Sequence, residues 1–244
     1  MIGGWRFWKR PRPDSSMPAV ELISATIKFN AGTVNEVRVL TDINLSLPQG
    51  ANVLITGANG SGKSSLLKAI SGQIRLASGC VRLHGIDVTA WPMHKRARFV
   101  ASVHQDPLLS TSPNLSVYDN LDLAASLPWW SVTPRAFQLT ADQLKAVSDP
   151  ALCLTDKVAR PISAMSGGQR QFIALNLQKL QKFKSIFLLD EFISALDDKA
   201  ACSAIAYMAA IYHSGKTVIS VSHGRQLDGG CITHSIDVGQ WREG

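Results

Sequence analysis

The sequence predicts an α/β fold around a mostly parallel sheet, and three observations carry that expectation. Short runs at 52–56, 186–189 and 217–221 are largely apolar, the second of them throughout, as suits strands covered on both faces. Helical stretches alternate with them, at 65–70, after Ser166 through Leu180, and at 199–212. The 244 residues are enough for one large domain, or for a core carrying a subdomain.

In chain order, residues 1–16 are a tail by composition. Trp5, Phe7 and Trp8 alternate with Arg6, Lys9 and Arg10 ahead of Pro11 and Pro13. It reads either as a segment resting at a bilayer interface, or as a disordered leader or sequence upstream of a start at Met17. One domain is expected over 17–244. Its first strands are Val20–Phe29 and Val37–Leu47, rich in β-branched and apolar residues and separated by Asn30-Ala31-Gly32. Pro48-Gln49-Gly50 turns the chain into the strand at 52–56. Further strands are expected at 80–83, between Ser78-Gly79 and His84-Gly85, and at 98–104. The stretch 106–165 differs in character. It contains Pro107, Pro113, Pro128, Pro134, Pro150 and Pro161 among helical pieces at 117–125 and 135–147, and reads as an inserted helical subdomain. Trp129 and Trp130 lie within it, either as buried packing or as part of a partner surface.

Composition narrows the function classes. No window approaches the roughly 18–20 uninterrupted apolar residues of a membrane-spanning helix. The best candidate, 200–212, is too short and contains Ser203. Net charge is +7, but Arg6, Lys9, Arg10 and Arg12 supply four of those charges before the first acid, Asp14. The remaining +3 is a weak argument for nucleic acid. Cys80, Cys153, Cys202 and Cys231 are far apart with no C-x-x-C pair, unlike a zinc site or a disulfide framework and in keeping with a reducing compartment.

The chemistry is concentrated after the strand at 52–56. Gly57-Ala58-Asn59-Gly60-Ser61-Gly62-Lys63-Ser64 has the P-loop spacing, with a strand before it and a helix after it. Glycines let such a loop turn tightly and aim consecutive backbone N–H groups at one anion. The helix adds its free N–H groups and the positive end of its dipole. Lys63 is placed to reach the β- and γ-phosphates of a nucleoside triphosphate, and Ser64 to offer its hydroxyl to Mg²⁺. A second strand, 186–189, ends in Asp190-Glu191, which suits one acid for the Mg²⁺ shell and one to polarise an attacking water. Ser166-Gly167-Gly168-Gln169 opens a helix 24 residues before Asp190 and is either a second anion site or an ordinary helix N-cap. Gln105 closes a strand, where an amide can sense metal and water. His223 closes another, where an imidazole can bind a γ-phosphate, although a lone histidine is more often structural.

Together and in this order, these residues closely resemble an ATP-binding cassette (ABC) ATPase over residues 20–239. The resemblance implies a RecA-like P-loop NTPase core with a mostly parallel sheet, an N-terminal antiparallel β part and an inserted α-helical subdomain. It makes Gly57, Ala58, Asn59, Gly60, Ser61, Gly62, Lys63 and Ser64, with Ser65, the Walker A nucleotide loop. Ser166, Gly167, Gly168 and Gln169 become the signature that holds a second nucleotide. Gln105 is then the Q-loop glutamine, Asp190 the Walker B metal ligand beside Ser64, Glu191 the catalytic glutamate and His223 the H-loop histidine. Ser194-Ala195-Leu196-Asp197 is the D-loop. Phe29 falls where the family stacks an aromatic ring on adenine; the alternative is a core phenylalanine. Three departures stand out: Met165 for the usual leucine, Phe192-Ile193 for Pro-Thr, and Phe172 for a common arginine.

What the resemblance implies is an ATP-hydrolysing nucleotide-binding subunit, with ATP and Mg²⁺ as cofactors, working as a head-to-tail homodimer. It would drive transport through a separate membrane permease from the cytoplasmic face of the inner (plasma) membrane, as a peripheral protein. Gln105-Asp106-Pro107-Leu108-Leu109, residues 112–116 and residues 166–171 look like cassettes of poorly characterised bacterial uptake systems, which also employ a substrate-binding protein. The rival is a soluble ABC ATPase acting on DNA or ribosomes. Long coiled coils, zinc modules and fused second cassettes, the usual marks of that class, are missing from the sequence, so no nucleic-acid partner is expected.

Overall fold

Two sheets carry the fold of the computed structural model, which describes residues 16–30, 32–104, 107–126, 159–179, 184–193, 196, 198–221 and 232–242. The first is antiparallel, in the order β2-β1-β4-β5, from β1 (Val20–Phe29), β2 (Val37–Leu47), β4 (Ser78–Leu83) and β5 (Ile86–Asp87). The second is parallel throughout, in the order β6-β7-β8-β3-β9, from β3 (Asn52–Thr56), β6 (Val100–Val103), β7 (Ile186–Asp190), β8 (Thr217–Val221) and β9 (His234–Asp237). Every residue of β7 and β8 is buried, the pattern expected of central strands covered on both faces.

Most expected elements appear within two residues of their sequence limits. Strand β4 starts early because Thr26 pairs with Ser78 across the sheet. Gly79 makes that possible: at φ +79°, a Cβ there would lie 2.3 Å from the Ser24 carbonyl oxygen. Strand β6 is shorter than the expected 98–104. The short helix α2 (Met93–Arg96) is followed by a turn in which the Phe99 N–H donates to the Arg96 carbonyl at 2.9 Å, and this consumes the strand's expected start. Between β4 and β5, His84 and Gly85 both take positive φ (+51° and +76°), as a tight two-residue hairpin turn requires. Strand β9 was not visible in the sequence. It is a largely exposed edge strand, specified by its parallel register on β3 and not by an apolar pattern.

The phosphate-loop helix α1 (Lys63–Ser71) is anchored at its far end. Gly72 closes it in the left-handed region at φ +82°. The buried Arg96 guanidinium donates to the carbonyls of Ala69 (2.7 Å) and Ile70 (3.1 Å), placing a cation on the negative end of the helix dipole.

Three apolar cores form among the described residues. One lies between the antiparallel sheet, α1 and one face of the parallel sheet. The second lies on the opposite face, beneath α5 (Asp198–His213). The third joins α3 (Val117–Ser126) to α4 (Gly167–Lys179). At this third core the chain leaves and returns side by side. Ser116 bridges antiparallel to Pro161, and the Ile162 N–H donates to the Leu115 carbonyl at 3.1 Å. Residues 1–15 of the tail, Trp129, Trp130 and the helix expected at 135–147 lie outside the described residues.

The unusual Phe192-Ile193 pair has a structural role. Phe192 is 0% exposed and both side chains belong to the second core. Phe192→Ala should destabilise the fold by about 3–5 kcal/mol, the usual cost of emptying a buried aromatic site. Denaturant unfolding would check it, and a change below about 1 kcal/mol would contradict this packing.

Candidate nucleotide-binding site

The site begins where β3 ends. Three loop glycines have positive φ: Gly57 (+138°), Gly60 (+72°) and Gly62 (+97°). Space is as tight as the dihedrals. A Cβ at Gly57 would lie 2.7 Å from Ser61 Oγ and 2.9 Å from Val238 Cγ2, and one at Gly62 would lie 2.8 Å from Val39 Cγ1. Gly62 is the N-cap of α1 and offers no side-chain cap, so the first helical N–H groups remain available to an anion.

Lys63 is 4% exposed, and its ammonium donates to the carbonyls of Gly57 (2.9 Å) and Ala58 (2.7 Å). Burial pushes its pKa down, while the charges of Glu191, Asp190 and Asp237 act in the opposite direction. The Ser64 hydroxyl donates to Asp190 Oδ1 at 3.0 Å, joining the loop to the end of β7 across 126 residues of sequence. Burial, reinforced by Glu191, raises the Asp190 pKa; the Ser64 bond opposes that shift, as do Lys68 and His104. A hydroxyl and a carboxylate in contact are hard oxygen donors, the ligand type Mg²⁺ takes when triphosphate and water complete its shell. Glu191 follows in the left-handed region at φ +47°, its N–H donating to the Val221 carbonyl at 3.1 Å. For a non-glycine residue this conformation costs on the order of 1–3 kcal/mol. It turns consecutive acids to different tasks, Asp190 against Ser64 and Glu191 into the cleft wall.

That cleft has a volume of about 590 Å³ and is lined by Phe29, Val39, residues 59–65 and Glu191. Phe29 is 40% exposed at its rim and is not a core residue. The cleft therefore combines an aromatic and aliphatic wall with a loop of anion-binding N–H groups, and an acid faces the loop.

The segment Ser166-Gly167-Gly168-Gln169 is elsewhere. It opens α4 with a reciprocal capping box: Ser166 Oγ accepts from the Gln169 N–H (3.3 Å), and Gln169 Oε1 accepts from the Ser166 N–H (3.1 Å). The N-cap reading is correct as far as one chain goes. Ser166 and Gly167 are exposed, and none of the four lines the cleft. Of the departures beside this segment, Met165 and Phe172 are both buried in the third core. Gln105, His223, Ser194, Ala195 and Asp197 lie outside the described residues, while Leu196 is buried in the second core. Sequence reasoning missed Val39, which lines the cleft and packs against Gly62, and Asp237, which stands beside Gly57. It also missed Lys68, Gln73 and His104, which share a small cavity with Asp190. Only the strand register could have brought Asp237 to notice, through its pairing with Thr56.

A glycine-rich loop between strand and helix, bonded to an acid at the end of another strand of the same parallel sheet, defines a P-loop nucleoside triphosphatase. The family described as ABC transporter matches residues 40–194. The tyrosine transport ATP-binding protein of Clostridioides difficile strain R20291 is 32% identical over 187 residues, which are 76% of this chain and 74% of that protein. The probable branched-chain amino acid transport ATP-binding protein LivF of Archaeoglobus fulgidus is 32% identical over 177 residues, 72% of this chain and 70% of its own. A bacterial ABC transporter cassette solved as a dimer superposes with a TM-score of 0.75 at 21% identity, covering 90% of this chain and 95% of that one, a likeness of fold. The chain belongs to the ABC transporter family, as an ATP-binding subunit that hydrolyses ATP for a transport system.

Proposed function

We propose that two copies of this chain pair head to tail, each nucleotide lying between one copy's phosphate loop and the other's Ser166, Gly167, Gly168 and Gln169. The observation that carries this reading is the separation within one chain: the cleft is walled by the loop and Glu191, and none of the four signature residues lines it, although Ser166 and Gly167 are exposed. Gly57, Ala58, Asn59, Gly60, Ser61, Gly62, Lys63, Ser64 and Ser65 hold the phosphates, and Phe29 packs against the base. Ser64, Asp190 and Gln105 hold Mg²⁺, which when bound neutralises phosphate charge and makes the γ-phosphorus easier to attack. Glu191 orients and polarises the attacking water, and His223 and Gln105 complete the site around the γ-phosphate. The domain spans 17–244, and its insert at 106–165 transmits closure to a permease. Among the described residues no helix is long and apolar enough to cross a membrane. The working location is the cytoplasmic face of the plasma membrane. The direction is uptake, with a substrate-binding protein as a further partner.

A permease that holds two copies together raises their effective concentration. The isolated chain should therefore hydrolyse ATP slowly, at a rate per subunit that climbs with protein concentration. Reconstitution with its permease in lipid should stimulate turnover, whereas duplex DNA or ribosomes should leave it unchanged. Stimulation by DNA and by no permease would overturn the transporter reading.

A further inference from the structure

We propose that Asp237 sets nucleotide affinity, acting as a fixed negative charge at the root of the phosphate loop that weakens the protein's hold on the polyphosphate chain. The inference rests on the phosphate-loop reading and goes beyond it, since Asp237 belongs to none of the motifs that define the loop.

Register brings the residue there. Strand β9 runs parallel to β3, and the pairing Thr56↔Asp237 puts the carboxylate level with the last residue before the loop. A Cβ on Gly57 would lie 3.1 Å from Asp237 Oδ1, so the carboxylate packs against the first glycine itself. Its position is fixed from three sides. Asp237 Oδ1 accepts from the Gly239 N–H at 2.9 Å, capping the 3₁₀ turn Val238–Trp241. Val238 is fully buried and would touch the same Gly57 Cβ at 2.9 Å. The far end of the turn is tied to β2, where Thr41 Oγ1 donates to the Trp241 carbonyl at 3.2 Å. The carboxylate cannot swing away when an anion arrives without breaking that cap.

The loop's own glycine N–H groups, the start of α1 and Lys63 attract negative charge. Three carboxylates act against them through their charge on Lys63: Glu191, Asp190 and Asp237. Asp190 and Glu191 are assigned to the metal and the attacking water, whereas Asp237 has no such task and adds repulsion alone. Coulomb repulsion scales with the charge on the ligand, so the penalty is largest for a triphosphate, smaller for a diphosphate and absent for a nucleoside. The result is a phosphate loop with less than its full affinity, which lets nucleotide exchange at the end of each cycle.

The test is titration calorimetry on the full chain with Asp237→Asn and Asp237→Ser, two neutral residues that still cap. MgATP should bind about three- to tenfold more tightly to both variants at roughly 50 mM salt, with the gain shrinking towards 500 mM as screening increases. MgADP should gain less, adenosine should not change, and the conservative Asp237→Glu should remain near wild type. Equal or weaker MgATP binding by both neutral variants would overturn the proposal, as would a gain that ignores salt or extends to adenosine. Wild-type protein that bound no MgATP at all would fail the phosphate-loop reading itself, a result distinct from a wild type that binds with variants no tighter.

Discussion

Glu191→Gln should bind MgATP as tightly as the wild type and lose at least about 100-fold in turnover, the lower range of what a positioned acid or base contributes to a proton transfer. The amide has the shape of the carboxylate and keeps its place in the cleft wall, so the binding surface is unchanged. What it lacks is the charge that draws a proton from water as the water approaches the γ-phosphorus. The backbone supports the substitution, because glutamine meets the same demand at φ +47° that glutamate already meets, and the N–H bond to Val221 is retained. With hydrolysis blocked, the head-to-tail pair should persist, and the variant with MgATP should elute from a sizing column at twice the monomer mass. Near-wild-type hydrolysis would remove Glu191 from the chemistry. Slow hydrolysis without a stable dimer would instead count against nucleotide shared between two copies.

The parts of this fold that were legible in the sequence are those that leave a local chemical mark. Strands β3, β7 and β8 are buried on both faces, so nearly every position must be apolar and the run stands out. The phosphate loop is legible because positive φ and close packing at Gly57 and Gly62 admit little but glycine. Contacts that depend on register leave no such mark. Strand β9 is an exposed edge with polar side chains, and Asp237 reaches Gly57 only because β9 lies on β3. Val39 reaches the cleft in the same way, from a strand of the other sheet. The bond from Ser64 to Asp190 spans most of the domain and was expected only because both motifs imply it. Phe192 and Ile193 look like a defect when compared with the family pattern. In the fold they are core residues, because the chain after Glu191 turns back beneath the sheet and must be covered.

Lys63→Ala should separate binding from folding more sharply than any other single change. The side chain supplies the one ammonium that the loop itself provides, and it is held by the carbonyls of Gly57 and Ala58. To meet a β- or γ-phosphate it must exchange those neutral acceptors for charged ones, a favourable trade because hydrogen bonds between ions are shorter and roughly twice as strong. Loss of that trade should weaken MgATP binding by about 100-fold or more, taking about 3 kcal/mol for a charged hydrogen bond in a desolvated site. Stability should behave differently. Burial lowers the Lys63 pKa, so the charged form is less favourable in the folded chain than in the unfolded one. By linkage, that penalty is fully present at pH values below the folded pKa and disappears as pH rises past the unfolded value. At neutral pH, alanine removes the penalty along with two hydrogen bonds, and the two losses offset. The melting temperature should therefore stay within a few degrees of wild type while calorimetry shows little MgATP binding. A variant that keeps wild-type affinity would show that the loop does not hold the triphosphate. One that loses binding only because it unfolds would show that Lys63 serves the loop's structure before it serves the ligand.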